Sequence, residues 1–223
     1  MATSGSSDFE LAVDEYIEEA FERCGLEIRT GYDLKTAKRS LNLLFADWAN
    51  RGLNRWTITQ TTTTITDGTT EYTLAADTID VLSAVIRENA GTASQTDTAI
   101  TRIGRDTYLN ISSKLTESRP TQFYIDRQVV PKIRLYPTPN ATYSLVYDRL
   151  TRIEDADSAT NTVDIPFRFY PCLTAGLAYY LSIKKAPDRI TTLKAIYEEE
   201  FDRAATEDRD RTSLKLLPYE RYI

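Results

Sequence analysis

Residues 56–66 read WTITQTTTTIT, and this run of β-branched side chains leaves the chain few choices of fold. Threonine and isoleucine lose side-chain freedom in a helix, whereas they pack well on a pleated strand. On either side of this run, apolar residues recur every three or four positions, which is the period of an amphipathic helix. The pattern therefore predicts an α+β fold, with helices at both ends of the chain and strands between them.

Two helices are predicted before the β-branched run. Ser7 and Glu10 have the spacing of a capping box, so we expect the first helix to begin at Ser7 and to end at Gly25. Its apolar stripe would be Phe9, Val13, Tyr16, Ile17, Ala20, Phe21 and Cys24. A second helix is expected after the turn at residues 30–32, with Asp33 near its start and Gly52 at its end. Two such helices joined by a short loop form an antiparallel hairpin.

The middle of the chain is predicted to contain several strands. Asp67 and Gly68 suit a tight hairpin, in which residues 71–74 would return beside the first strand. The further strand candidates are residues 79–87, 123–130, 132–136, 143–150 and 163–165. We expect 122–147 to form a three-stranded meander, 104–111 a short helix and 89–98 a surface loop. The predicted domain is antiparallel and sandwich-like, or a curled half-barrel.

Helical periodicity returns after residue 165. Pro166 and Pro171 suit the entry of a helix that is apolar nearly all round, which predicts that this helix is buried. A fourth helix is expected to open at Ala186 and to end near Arg211. The predicted organisation is a four-helix bundle split by an inserted β domain. Its parts would be 1–54 (first helical hairpin), 55–165 (β domain), 166–211 (second helical pair) and 212–223 (extended tail).

The tail is unusually apolar for a chain end. Its apolar residues are Leu214, Leu216, Leu217, Tyr219, Tyr222 and Ile223. Pro218 and the loss of helical period argue against a further helix. Because apolar side chains are rarely left together in water, we expect these residues to dock on another protein surface. The alternative is that the tail folds back on its own bundle.

Composition narrows the possible chemistry. With 27 basic and 33 acidic side chains, the net charge of −6 disfavours tight binding to nucleic-acid phosphates. The chain has no histidine, so the commonest general base and the commonest zinc ligand are missing. Neither a P-loop nor a GxGxxG turn occurs. We therefore predict no enzymatic activity and no catalytic, cofactor or metal site.

The apolar segments and the cysteines indicate where in the cell the protein is expected to act. No stretch approaches the roughly 18 apolar residues of a membrane-spanning helix, and residues 1–9 contain no apolar signal segment. We therefore expect the protein to act where it is made, without a membrane. Cys24 and Cys172 are interpreted as small buried hydrophobic residues in a reducing cytosol.

Three polar clusters have a functional and a structural interpretation. The threonines at 61–64 could bind a sugar or an ion, but a solvated or interface-facing strand is simpler. Glu15 and Glu19, like Glu18 and Glu22, stand one helical turn apart and could serve as a glycosidase pair, although acids on an outer helix face usually do no chemistry. The acids of the last helix interleave with arginines, as on a solvated face or in pairs between subunits. They are Glu198, Glu199, Glu200, Asp202, Glu207, Asp208 and Asp210.

The order of these segments carries a resemblance. A helix pair ends in LNLLFADWANRG at 41–52, a β insertion contains LYPTP at 135–139, and helices and a short tail follow. This arrangement resembles the head-to-tail adaptor proteins of tailed phages, and is similar to the tail accessory factor of short-tailed phages. The match covers essentially the whole chain, through loose patterns of aromatic residues and prolines.

The resemblance implies a structural protein of the virion, at the head–tail junction, made and assembled in the host cytoplasm. Its copies would form a ring, typically twelve-fold, beneath the portal protein. The ring would extend the channel through which double-stranded DNA passes without specific binding, and would present a platform to a downstream nozzle or tail-tube protein. Two alternatives stay open: a peptidoglycan-cleaving, lysozyme-like tail enzyme that uses paired carboxylates, and a carbohydrate-binding module built on the tyrosine-rich insertion.

Overall fold

The structure, a computed structural model, describes residues 5–6, 9–52 and 55–209. Its α-helices are α1 (Val13–Arg23), α2 (Gly31–Arg51), α3 (Arg105–Leu109), α4 (Tyr170–Lys185) and α5 (Ile190–Glu207). Its strands are β1 (Ile58–Ile65), β2 (Glu71–Thr73), β3 (Thr78–Glu88), β4 (Thr96–Arg102), β5 (Gln122–Asp126), β6 (Lys132–Tyr136) and β7 (Tyr143–Thr151). The predicted α+β class is confirmed, with helices flanking a β-rich middle.

The first helix begins later than predicted. Its predicted first residue, Ser7, lies outside the described residues, and α1 starts at Val13. The Ala12 N–H donates a 2.7 Å hydrogen bond to Glu15 Oε2, so Glu15 caps this end of the helix. The Val13 N–H donates to the Asn161 carbonyl at 3.0 Å. Because Ala12 has an extended backbone and pairs with Thr162, α1 begins at Val13 rather than at the predicted Ser7.

The turn between α1 and α2 follows the prediction closely. Gly25 has a φ of +70°, and its N–H closes the end of α1. At the start of α2, the Asp33 N–H donates to Thr30 Oγ1 at 3.3 Å, while the Thr30 N–H donates to Asp33 Oδ2 at 3.0 Å. This reciprocal pair is a capping box with Asp in place of Glu. α2 ends before Gly52, as predicted.

The helix α4 is the buried centre of the helical layer, a term used here for α1, α2, α4 and α5. It packs against each of the other three helices, and the prediction that it is the buried one is confirmed. Pro171 lies in its first turn. Gly176 allows a close approach, because a Cβ there would lie 2.8 Å from Tyr197 Cε2 and 2.9 Å from Leu44 Cδ2. The small residue thus lets α2 and α5 meet on α4.

The strands form one curled sheet in the order β1-β7-β3-β4-β5-β6-β2, rather than two packed sheets. The sandwich-like description is therefore wrong, and the predicted alternative of a curled arrangement is correct. β4 and β5 pair in parallel and join the two halves of the sheet without a break. β3 carries register shifts near Asp80 and Ser83, and such bulges bend a strand and increase its twist.

Two predicted pairings are wrong. The turn at Asp67–Gly68 exists, but β1 pairs with β7 and β2 pairs with β6, so no hairpin forms across it. The turn instead joins the two edge strands, and the Thr66 N–H donates to Tyr72 Oη at 2.8 Å. The three-stranded meander also fails, because β5 and β6 pair while β7 lies between β1 and β3. Curling of the sheet brings distant segments together and so overrides these local pairings.

The remaining strand predictions are mixed. Residues 132–136 form a strand, as predicted, and the strands predicted at 79–87 and 143–150 match β3 and β7 within a residue at each end. The strand expected at 123–130 ends at residue 126, and residues 163–165 form no strand. The loop expected at 89–98 overlaps β4, in which Ile100 is the one buried residue. A strand with so little apolar alternation gives almost no sequence signal.

Two separate clusters of buried side chains result, one in the helical layer and one inside the curled sheet. Contacts just before β1 and after β7 tie the ends of the sheet to the helical layer. The ring of Trp56, just before β1, packs against Phe169, just before α4, with ring centroids 4.5 Å apart. The Ala156 N–H donates to Asn42 Oδ1 at 2.8 Å, which ties the segment after β7 to α2.

Candidate assembly surfaces

The predicted docking residues of the tail lie outside the described residues. They are Leu214, Leu216, Leu217, Tyr219, Tyr222 and Ile223. The structure does describe the end of α5. Asp208, one residue beyond α5, accepts a 3.0 Å hydrogen bond from the Arg55 N–H and pairs with Arg168. Asp208 therefore anchors the end of α5 to the start of β1 and to the entry of α4.

The glutamates of α1 form an acidic α1 face, defined as Glu15, Glu18, Glu19 and Glu22. They line a shallow cleft of about 480 Å³ together with residues of the α4 entry. Glu15 caps the helix, and Glu19 pairs with Arg23 at 2.8 Å. Of the two candidate glycosidase pairs, Glu15 and Glu19 are thus engaged in helix capping and in an ion pair. The other two, Glu18 and Glu22, are exposed to solvent. Helix stabilisation and solvation account for these four side chains.

Phe9 was expected on the buried stripe of the first helix, and this is wrong. It precedes α1, contributes to the same cleft and is 71% exposed. Because α1 begins only at Val13, the helical period does not extend back to Phe9. An aromatic side chain is thus presented to solvent next to the acidic α1 face.

Several acids of the α5 cluster form ion pairs. Glu198 holds Arg51 of α2 in a two-point contact of 2.6 and 3.0 Å. Glu199 and Glu200 both pair with Arg203 on their own helix. Within the described part of the chain, no group of three or more Cys, Asp or Glu residues could hold a metal ion.

A buried polar network between α2 and α5 was not predicted. Trp48 Nε1 donates to Tyr197 Oη at 3.0 Å, and Tyr197 Oη donates to Asp47 Oδ2 at 3.2 Å. Burial raises the pKa of Tyr197. The Glu198 carboxylate raises the pKa of Arg51, whose guanidinium lies 4.8 Å from the Tyr197 ring centroid. The spacing of Asp47, Trp48 and Arg51 could have placed them on one helix, but not opposite Tyr197.

Both cysteines are buried and free, as predicted. Cys24 Sγ donates to the Ala178 carbonyl at 3.3 Å and so joins the end of α1 to α4. Burial raises the pKa of both thiols. Such thiols are structural rather than reactive.

An apolar groove lies between α1, α4 and α5, with a volume of about 540 Å³. Ala175, Leu193 and Ile196 line it, and Arg23 and Arg189 stand at its rim. Arg189 is held by a 2.9 Å hydrogen bond from Nη1 to the Arg23 carbonyl. The groove thus combines an apolar lining with two cationic side chains.

The described helices include none that is long and apolar enough to cross a membrane.

Comparison with known proteins identifies the family. The family model described as SU10 adaptor protein matches residues 12–217, which includes the helical layer and the whole sheet. No curated protein matches the chain. The resemblance to phage head-to-tail adaptors is thereby confirmed, and it implies a virion location and association with portal and tail proteins. The chain belongs to the SU10 adaptor protein family and is a phage structural adaptor of the head–tail type.

Proposed function

We propose that the protein assembles as a ring, twelve-fold as in the adaptors it resembles, beneath the portal of a short-tailed phage. The ring extends the channel for DNA ejection and offers the attachment platform for the next tail protein. The observation that carries this proposal is the family match over residues 12–217, which leaves neither the helical layer nor the sheet unaccounted for. A structural adaptor family agrees with the prediction that the protein is not an enzyme.

Charge supports a channel through which DNA slides. Twelve copies at −6 would carry −72, which makes an acidic collar that repels phosphates. Two basic side chains in the β-rich middle are already engaged: Arg102 pairs with Asp80, and Lys114 donates to two backbone carbonyls. Free protein should therefore not shift duplex DNA in a gel at physiological salt. A stable shift that weakens steeply with salt would contradict the repulsive channel.

We further propose that the four long helices are the two halves of one bundle, 1–54 and 166–211, divided by the insertion 55–165. The shared cluster of buried side chains in the helical layer supports this division, as does the separate cluster inside the sheet. In this arrangement the bundle and the sheet each offer a separate surface, and each surface can bind a different partner.

The tail at 212–223 is proposed to dock on the portal or on a neighbouring adaptor. Burying three of its apolar side chains would contribute on the order of 5 kcal/mol per subunit before ordering costs, at about 1.5–3 kcal/mol each. The competing possibility is that the tail occupies the apolar groove of its own chain beside Leu193 and Ile196.

The ring is tested by co-expressing the full chain with the portal protein of the same phage and imaging the purified complex by electron cryomicroscopy. We expect a closed ring of adaptor density beneath the portal, coaxial with its channel. A portal that never carries adaptor density, at any ratio of the two proteins, would refute the ring.

Deletion of residues 212–223 tests the tail separately. The truncated chain should keep nearly its full melting temperature but fail to assemble on portal. A sharply lower melting temperature with assembly preserved would place the tail in the core of its own chain. A second variant replaces Leu214, Leu216 and Leu217 by serine. It keeps the chain length unchanged and should also block assembly, because the apolar side chains are lost.

A further inference from the structure

The exposed side of α2 carries a row of charged and apolar side chains that form no ion pair with any residue the structure describes. This α2 outer face is defined as Tyr32, Lys35, Arg39 and Leu43, which follow one another at helical spacing along one side. Tyr32 is 72% exposed and Leu43 is 53% exposed. Throughout the described ranges, no carboxylate forms an ion pair with Lys35 or Arg39. The face therefore combines two unpaired cations with two exposed apolar side chains.

A third cation strengthens the positive charge of this region. Lys184, near the end of α4, donates a 2.7 Å hydrogen bond from Nζ to Ser40 Oγ of α2. Burial and the nearby Arg39 guanidinium lower the pKa of Lys184. The neighbouring Asp33 does not neutralise these cations, because its carboxylate already holds Lys185 and caps α2. An incoming group with negative charge would therefore find unsatisfied partners here.

The acidic α1 face has the opposite character. Glu18 and Glu22 are exposed and, where the structure describes the chain, neither forms an ion pair. Phe9 adds an exposed aromatic ring beside them. This face is thus complementary to the α2 outer face. The unpaired charges of the two faces have opposite signs, and both faces carry exposed apolar side chains.

One copy cannot bring these two faces together. α1 buries Ile17 and Ala20, and α2 buries Leu41 and Leu44, in the same core that surrounds α4. The glutamates of α1 and the cations of α2 stand on the sides of these helices that are turned away from this core. Among the described residues, these two faces therefore do not meet within one copy, and a contact between them joins two copies.

We propose that the acidic α1 face of one copy docks on the α2 outer face of the next copy. Two different surfaces of the same protein then meet, and such a head-to-tail contact generates a closed ring when its rotation closes. Complementary charge would select the register, while Phe9, Tyr32 and Leu43 would supply buried apolar area. This inference rests on the proposed ring and names the surfaces that form it.

Zero-length cross-linking tests the contact directly. Isotopically heavy and light full-length chains are mixed at high concentration, alone and with portal protein, and treated with a carbodiimide, which joins touching carboxylates and amines. We expect mixed-isotope peptides that link Glu18 or Glu22 to Lys35. Cross-links between copies that consistently join other surfaces would overturn the contact while leaving the ring intact.

Charge reversal gives an independent measurement. Glu18→Lys with Glu22→Lys, or Lys35→Glu with Arg39→Glu, should weaken self-association in sedimentation velocity by at least about tenfold, because like charges then face each other. The chain that carries all four substitutions should regain association, and so should a mixture of the two double variants. All four positions are exposed or lie at the helix surface, so circular dichroism should show an unchanged fold.

The matched control for Glu18→Lys with Glu22→Lys is Glu117→Lys with Asp202→Lys, which makes the same change in net charge at exposed acids that form no ion pair among the described residues. It should leave association unchanged. Equal loss in this control, or no rescue in the fourfold variant, would refute the contact. A wild-type chain that stays monomeric and unlinked at every concentration, with portal present, would refute the proposed ring and this contact with it.

Discussion

The helical layer buries polar groups in specific pairs, whereas the sheet buries mainly aliphatic side chains. In the layer, Trp48, Tyr197 and Asp47 form a chain of hydrogen bonds between α2 and α5. Inside the sheet, the cluster is built largely of residues such as Ile86, Ile133 and Leu135. The charged residues of the sheet instead form ion pairs across its surface, as between Arg87 and Asp97.

This difference shows how each region achieves a unique arrangement. Packed helices can slide or rotate against one another, so directional hydrogen bonds between them select one register. Strands already have their register set by backbone hydrogen bonds and by the alternation of buried and exposed side chains. The sheet can therefore rely on apolar packing, while the helical layer needs polar contacts such as the one between Trp48 and Tyr197.

The largest expected effect is that of Trp48→Ala. It removes a fully buried ring and the donor to Tyr197, and should lower the free energy of unfolding by about 3–5 kcal/mol. Urea denaturation measures this loss, and hydrogen exchange should show faster exchange in the helical layer. The matched change in the sheet is Ile133→Ala, at about 2–5 kcal/mol, with faster exchange there. Equal loss of protection in both regions from either substitution would contradict two separate cores.

Tyr197→Phe removes only the hydroxyl group. It leaves Trp48 Nε1 buried without this acceptor, so the free energy of unfolding should fall by about 1–3 kcal/mol. The control is Tyr179→Phe, because its ring stacks on Tyr197 at 6.0 Å, yet its hydroxyl makes no hydrogen bond to any described residue. Equal effects of the two substitutions in urea denaturation would show that the hydrogen bond does not select the helix register.

A smaller effect of pH is expected at the start of α2. Hydrogen bonds from Lys185 and Thr30 lower the pKa of Asp33 from its ordinary 3.8 to about 2. Because the folded-state pKa lies below the unfolded value, Asp33 stabilises the fold at neutral pH, and this stabilisation is lost as the pH falls from about 4 towards 2. Melting temperatures of wild type and Asp33→Asn should therefore converge over this range.

The control for the pH experiment is Asp67→Asn in the exposed turn between β1 and β2. This variant should follow the wild-type melting temperature at every pH. A gap between wild type and Asp33→Asn that stays constant down to pH 2 would argue against the ion pair with Lys185.

The smallest expected effect is that of the sheet-surface pair. Arg87 and Asp97 face each other across β3 and β4 at 2.7 Å, in contact with solvent. A double-mutant cycle with Arg87→Ala and Asp97→Ala should give a coupling weaker than any effect above, and it should shrink further at high salt. A strong, salt-independent coupling would mean that the sheet also depends on specific polar contacts.

Most elements of the fold could be predicted from the sequence, because their signals are local. The bounds of α2 follow from Thr30, its apolar stripe and Gly52, and the strand at 132–136 follows from its alternation. β4 could not be found, because Ile100 is its one buried residue. Strand partners were wrong wherever the pairing is between distant segments, as for β7, since the chain must close a long loop before such a pairing forms.

The candidate surfaces were less predictable than the fold. The apolar tail is visible in the sequence, yet its place depends on a partner. The α2 outer face could not be recognised, because a row such as Tyr32, Lys35, Arg39 and Leu43 resembles any solvated helix side until the neighbouring helices are placed. The same holds for the hydrogen bond between Trp48 and Tyr197, whose residues are far apart in the chain.

By itself, the sequence determined that helices flank a β-rich middle, that α4 is buried and that the net charge is acidic, because periodicity, propensity and charge are properties of short segments or of the total. Only the tertiary structure decided the strand order, the connection of the two edge strands through the turn at Asp67–Gly68, and the sides of α1 and α2 that no described residue covers. These depend on contacts between distant segments, which form only when the whole chain closes around its two cores.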